Sequence, residues 1–438
     1  MDSKAITKIQ TTMLITIILI AAVGGSVAYM FWIGPSQTAD YIRIGICADL
    51  DMINGKAAYR GALLAVEQIN AEGGVLGRNL TLVAEDDDSN TQPYDVAVAT
   101  NALNRLIVVD KADYIIACSG GPLVLTYQDI CYQHKKIIFT TYGALDNCTQ
   151  RVLDDYGKYK YFFRTYPANQ TAISMGSIGD VVTAGKYTGF TKIAFLFQDG
   201  SATRAMVSNL NHSLPSLGFE IVYINFFPLG TTDFTSYFAA IETSGAEILV
   251  PFMAGQEGAP FIEEWYDRQS PFVIWGTLTV AQDSDFWELS EGKCNYVSFS
   301  GLPVISGYPL TNKTLPTRQA FIQRWEEVPQ DFAVATYDTV RFILSDAIRR
   351  AGSTETEAVI KALEMTDVET SMARHWIFTS SHDVMVGSGA PNNPAQDYMV
   401  MCIFQWQNGT QVPMRPEEIM KEAGATYKYP LWQGPWTK

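Results

Sequence analysis

The chain has 438 residues, 47% of them hydrophobic and 18% charged, and a formal net charge of −15. That length accommodates two or three domains with a sizeable core, and the composition excludes bulk disorder. The acidic balance, with no local run of basic residues, excludes nucleic acid as a partner, because phosphates demand clustered Lys and Arg.

The first predicted element is apolar. From Met13 to Ile33 no charged residue occurs, and these 21 residues would span about 30 Å as a helix, one bilayer core. Lys4 and Lys8 precede the stretch and no Lys or Arg follows until Arg43. The positive-inside rule then places the N-terminus in the cytoplasm and the rest outside. Tyr29, Phe31 and Trp32 suit an interfacial belt. The alternative is a cleaved signal peptide, but the stretch is long for one and no A-x-A site follows. No Cys directly follows it, which argues against a lipid anchor. Residues 1–35 are predicted to be a membrane anchor. Six N-x-S/T sequons, at Asn79, Asn147, Asn169, Asn211, Asn312 and Asn408, agree with an outside location and glycosylation. The six Cys show no metal-ligand spacing. One or two disulfides suit an outside location, whereas for any single pair two small buried residues are the simpler reading.

A βα alternation then begins. Tyr41–Cys47 is read as a buried strand and Ala57–Glu72 as a helix stopped by Gly73-Gly74. Strand Leu80–Glu85, helix Tyr94–Leu106, strand Tyr114–Cys118, helix Val124–Tyr132 and strand Ile137–Thr140 follow. The rhythm resumes with a helix over 170–185, strand Lys192–Phe197, a helix over 202–216 and strand Glu220–Phe226. A helix over 233–243, strand Glu247–Phe252, a helix over 258–268 and strand Phe272–Trp275 complete the second run. Helices Thr317–Glu327, Ala333–Ala351 and Glu355–Leu363 precede strands Trp376–Thr379 and Tyr398–Trp406. Two such runs imply α/β architecture, with two parallel sheets each covered by helices.

Several segments, in order, resemble a known family. The segment from Arg60-Gly61-Ala62 through Glu67-Gln68-Ile69-Asn70-Ala71-Glu72-Gly73-Gly74 to Arg78 is similar to the first helix and turn of type I periplasmic binding proteins. Within these it is closest to the branched-chain amino acid (leucine/isoleucine/valine) receptors of ABC transporters. Asp86-Asp87-Asp88-Ser89-Asn90, Thr232-Asp233-Phe234-Thr235 and Ala335-Thr336-Tyr337-Asp338 continue the likeness. His382-Asp383-Val384 and Gln405-Trp406-Gln407-Asn408-Gly409 resemble the tail of archaeal members. The resemblance covers about residues 41–435. It implies two doubly wound parallel-sheet lobes with three hinge crossovers, near Phe163–Tyr166, Gly301–Val304 and Arg374–Trp376. Lobe 1 would comprise 41–164 with 303–374, and lobe 2 165–302 with 375–438. It further implies an extracytoplasmic receptor that closes on a small ligand, an amino acid or a similar carboxylate or amide, and hands it to ABC permease subunits.

Ligands of open parallel sheets bind beyond the carboxyl ends of the strands. In lobe 1 that nominates Asp49 and Asp51, Ser119-Gly120-Gly121, and Thr141-Tyr142. Ser119-Gly120-Gly121 joins a strand to a helix, so free amides face the cleft and suit a carboxylate. The resemblance implies the same role, with the Ser119 hydroxyl as a further donor. A plain βα turn is the alternative. In lobe 2 the rule nominates Asp199, Ser201, Glu257 and Thr277. Amino-acid binders of the family place a Tyr in the first of these loops, but Gln198-Asp199-Gly200-Ser201 has none. Asp199, Glu257 or Asp338 stand as replacement partners for a ligand ammonium. Asp86-Asp87-Asp88 lacks the spaced ligands of a calcium loop and is read as a solvated strand end. Four His without metal or catalytic spacing, and no nucleophile or phosphate motif, argue against an enzyme, a cofactor or a metal. A sensory ectodomain is the second reading; no second apolar span follows, which favours transport.

Overall fold

In the computed structural model β1 (Ile42–Ala48) is buried on both faces, as a central parallel strand must be. Ile42, Ile44 and Ile46 pack into one core with α1 (Ile53–Ala71), and Cys47 turns to the opposite core. The structure describes residues 41–437 except 90–93, 144, 168, 388–396 and 400. The predicted anchor and Asn90 lie outside the described residues. Among those described, no helix is long and apolar enough to cross a membrane.

The first sheet runs β2-β1-β3-β4-β5, all parallel, with β2 (Leu80–Asp86), β3 (Tyr114–Cys118), β4 (Ile137–Thr140) and β5 (Phe162–Arg164). Helices α2 (Val96–Val108), α3 (Gly121–His134) and α4 (Asp146–Asp154) follow β2, β3 and β4. The chain then leaves for α5 (Gln170–Thr188), whose N-terminus is capped by Asn169 through Ala172 N at 2.6 Å.

The second sheet repeats the winding as β7-β6-β8-β9-β10, with β6 (Lys192–Gln198), β7 (Glu220–Phe227), β8 (Ile248–Met253), β9 (Val273–Leu278) and β10 (Ser298–Gly301). Its helices include α6 (Ser201–Ser213), α7 (Thr235–Ser244) and α8 (Gly258–Arg268). After β10 the chain returns to the first lobe through α9 (Thr314–Trp325) and α10 (Asp331–Asp338). The predicted helix Ala333–Ala351 contains a π-helical stretch, Thr339–Leu344, ahead of α11 (Ser345–Ala351).

Two boundaries differ from expectation. The short strand β12 (Trp376–Ile377) pairs with β11 (Asp367–Val368), and Trp376, Phe378, Val384 and Met399 lie in the core of the first lobe. The third crossing therefore follows Met399 rather than lying at Arg374–Trp376, because the fully buried Trp376 ring keeps the segment on the first lobe. The final strand is a hairpin. β13 (Cys402–Gln407) and β14 (Thr410–Arg415) extend the second sheet antiparallel to β10. All six Cys are buried and unpaired. Five sequon Asn are exposed, whereas the Asn169 amide donates to Asp383 at 2.8 Å.

Candidate functional site

The carboxyl ends of both sheets frame a cavity of about 1020 Å³. Gly120, Gly121 and Tyr142 line it from loops of the first lobe, and Gln198, Asp199, Ser201, Ala254 and Thr277 from loops of the second. This is where two sheets wound β2-β1-β3 leave their topological switch points open.

Gly120 is the N-cap of α3, Gly121 its first residue, and Pro122, which has no N–H, comes next. First-turn amides have no intrahelical acceptor, so those of Gly120 and Gly121 border the cavity at the positive end of the helix. No side chain fits there. A Cβ on Gly120 would fall 2.2 Å from Tyr94 Oη, and one on Gly121 2.4 Å from Leu145 Cγ.

Ser119 departs from expectation. It is fully buried, and its hydroxyl donates to Asp87 Oδ2 and approaches Cys47 O at 3.3 Å, away from the cavity. Asp87 is likewise no solvated strand end. Alternation along the extended chain leaves Asp86 and Asp88 exposed and turns Asp87 fully inward. There it also accepts from Tyr127 Oη at 2.9 Å and Ser89 N at 3.2 Å. Burial raises the Asp87 carboxyl above its ordinary value against these bonds.

Other expected residues divide in the same way. Asp49 Oδ1 accepts from Asp51 N at 3.1 Å, an Asx turn leading into α1, and neither residue lines the cavity. Thr141 is fully buried and its N–H donates to Ala117 O at 3.0 Å. Asp338 is fully buried in the first lobe, accepts from Ser371 N at 3.0 Å and Ser371 Oγ at 2.8 Å, and is pushed up to about 7 by burial. It is a structural acid away from the cavity. Asp199 does line the cavity, but Arg204 grips both its oxygens, at 2.6 and 2.8 Å. That bond holds the Asp199 carboxyl below its usual range. Thr277 Oγ1 accepts from Ser300 Oγ at 2.9 Å.

Glu257 differs from these acids. It is 6% exposed; Oε1 accepts from Gly230 N at 2.7 Å, and the buried Oε2 has no hydrogen-bond partner among the described residues. Glu257 is not itself among the residues lining the cavity; its Oε2 lies over Gly255, where a Cβ would fall 2.3 Å from it. Burial first, then Tyr94, Cys118 and the Glu257 charge, raise the Tyr142 phenol.

Sequence reasoning missed a third group. Phe332 lines the cavity and packs on Tyr142 and Tyr166, each with ring centroids 5.4 Å apart. Its neighbour Asp331 accepts from Leu302 N at 2.9 Å, Gln282 Nε2 at 2.8 Å and Tyr166 Oη at 3.1 Å. One carboxylate thereby joins two crossovers and a lobe-2 loop, and burial pushes it up to about 6. Beside the middle of α5 Arg415 lines the cavity and pairs with buried Asp180 at 2.8 Å. Asp331 carries no local motif. It lies two residues ahead of the predicted helix Ala333–Ala351, where nothing in the sequence singled it out.

Known proteins share this fold. The family model described as periplasmic binding protein matches residues 43–409. Leu/Ile/Val-binding protein homolog 7 of Brucella abortus is 22% identical over 370 residues, covering 83% of this chain and 88% of the relative. Homolog 8 of Brucella melitensis is 21% identical over 379 residues, covering 83% and 87%. Among solved structures, the Streptococcus pneumoniae branched-chain amino acid transporter substrate binding protein LivJ, in complex with isoleucine, superposes with a TM-score of 0.68. It shares 17% identity and covers 85% of this chain and 98% of that one. An R. palustris ABC transporter solute binding protein in complex with benzoate gives 0.69 at 16% identity, covering 85% and 95%. An ABC transporter substrate-binding protein from Sphaerobacter thermophilus gives 0.67 at 20%, covering 85% and 96%. These likenesses concern the fold, and the family model extends over most of the sequence. The chain belongs to the periplasmic binding protein family.

Proposed function

We propose that this protein is the extracytoplasmic solute receptor of an ABC importer, which closes two lobes on an amino acid. The ligand carboxylate meets the Gly120 and Gly121 amides, and its ammonium meets Glu257. The observation that carries this reading is a pair of complementary groups on opposite lobes: first-turn amides bordering the cavity on one, and on the other, three residues from the cavity-lining Ala254, a buried carboxylate oxygen without a hydrogen-bond partner among the described residues. A buried polar atom left unpaired is costly, and a ligand ammonium relieves that cost. Tyr142, Phe332 and Tyr166 supply an apolar wall. The isoleucine bound by one structural neighbour supports the same ligand class. The stretch Met13–Ile33 would tether the receptor to the outer face of the membrane, within reach of its permease. The five exposed sequons are available for glycosylation.

A second reading has its own support. Asp199 and Asp331, which line the cavity, are already engaged, and the wall is aromatic. An aromatic carboxylate without an ammonium, like the benzoate of another neighbour, would use the same amides and leave Glu257 aside.

Titration calorimetry with leucine, isoleucine and benzoate separates the two. On the first reading Glu257→Gln weakens amino-acid binding at least tenfold, one charge-assisted bond being about 1.5–3 kcal/mol, and leaves benzoate unchanged. Equal amino-acid affinity in the wild type and Glu257→Gln removes Glu257 from the site. No binding of any of these carboxylates removes the reading as a whole.

A further inference from the structure

We propose that Asp87 is the positioning residue of the Gly120–Gly121 anion subsite, and that its buried charge couples carboxylate binding there to proton uptake. The inference rests on the reading that a ligand carboxylate meets those two amides.

Asp87 ties together the parts that present them. Its Oδ2 accepts from Ser119 in the loop after β3 and from Tyr127 in α3 at 2.9 Å, and Cys47 Sγ at the end of β1 lies 3.7 Å away. Its Oδ1 holds its own loop through Ser89 N at 3.2 Å. Turning Ser119 inward leaves the next two amides as the groups that border the cavity.

The titratable groups facing Asp87 are the Cys47 thiol of β1, with Cys131 of α3 behind it, the Cys118 thiol of β3, raised by burial and by the Asp87 charge, and the Tyr127 phenol. Burial first, and the Asp87 charge after it, push the Cys47 thiol up. Burial likewise raises the Tyr127 phenol. All three therefore stay protonated and donate rather than carry charge. Asp86 and Asp88 point to solvent. Among the described residues no Lys, Arg or His forms an ion pair with Asp87.

Ser119, bonded to Asp87, immediately precedes the two amides, so a ligand carboxylate there meets a like charge through the low-dielectric interior, which weakens its binding. Protonating Asp87 removes that repulsion. By reciprocity, an anion in the subsite favours the proton on Asp87.

The test is calorimetric titration of the whole protein with leucine and with benzoate from pH 4 to 8, upward from the ordinary carboxylate value, because burial raises Asp87. The wild type and Asp87→Asn, which keeps an acceptor and removes the charge, are compared. We expect wild-type affinity to rise about tenfold as the pH falls, with net proton uptake revealed by repeating the titrations between pH 6 and 7 in MES and in imidazole, which differ in ionisation enthalpy. Asp87→Asn should bind at every pH as tightly as the wild type does in acid. A flat wild-type profile, or an equal slope in Asp87→Asn, overturns the role. Should Asp87→Asn fail to fold, Tyr127→Phe decides: it removes one donor to the Asp87 carboxylate, so the rise in affinity should move to higher pH, and an unmoved rise overturns the coupling. Binding with a flat profile sinks Asp87 alone, whereas no binding of either carboxylate sinks the subsite and this inference with it.

Discussion

Replacing Asp331 by Asn changes how stability depends on pH, and the size of the change follows from the burial of that carboxyl. The Asp331 carboxyl is raised from 3.8 to about 6, with burial outweighing the bonds from Leu302, Gln282 and Tyr166. The folded state therefore holds the proton more tightly than the unfolded chain does. The corresponding stability is fully present below the unfolded value and is lost as the pH rises through about 6. Between pH 4 and 7 the loss is about 2–3 kcal/mol, each pKa unit being worth about 1.4 kcal/mol. A side-chain amide at this position has no proton to lose. Asp331→Asn keeps an acceptor for Leu302 N, and Tyr166 Oη can turn to accept from the new amide. Asp180 and Asp338, raised by burial to about 6 and about 7, titrate in the same window in both proteins and cancel in the difference. Urea unfolding of both proteins at pH 4, 5, 6 and 7 measures it. The variant should gain about 2–3 kcal/mol on the wild type across that range. Parallel stability profiles would refute the reasoning, because they would mean that Asp331 is as well solvated folded as unfolded.

Gly120→Ala puts a Cβ 2.2 Å from Tyr94 Oη. It should cost about 1–3 kcal/mol of stability and weaken carboxylate binding at least tenfold, read by thermal melts and calorimetry. Asp199→Ala should leave ligand affinity within about twofold, because Arg204 already occupies both oxygens and exposed pairs contribute about 1 kcal/mol or less. A tenfold loss in calorimetry would return Asp199 to the site. Trp265 is fully buried, packs on Trp432 with centroids 4.8 Å apart and donates from Nε1 to Phe272 O at 3.0 Å. Trp265→Ala should cost about 3–5 kcal/mol by urea unfolding, while leucine affinity measured well below the midpoint stays unchanged.

The sequence alone determined the two-sheet architecture. Parallel strands are buried on both faces, so β1, β3, β6 and β8 read as continuous apolar runs whose ends fall close to the observed ones. Strand ends then nominate loops, and Gly120, Gly121, Tyr142, Asp199, Ser201 and Thr277 do line the cavity. Short strands escaped notice. β5 has three residues, and β10 reads Ser298-Phe299-Ser300-Gly301, without the apolar run that marks the equally short β4; their neighbours in the sheet define them instead. Only tertiary structure decided side-chain direction. Ser119 and Gly120 are adjacent in sequence, yet one turns to Asp87 and the other to the cavity. Asp199 and Glu257 look alike as loop acids, yet one has an Arg on both oxygens and the other keeps a buried oxygen unpaired. Those outcomes depend on which distant segment lies behind each residue. Hydrophobic periodicity reports burial along one element, and it carries no record of the partner across the gap.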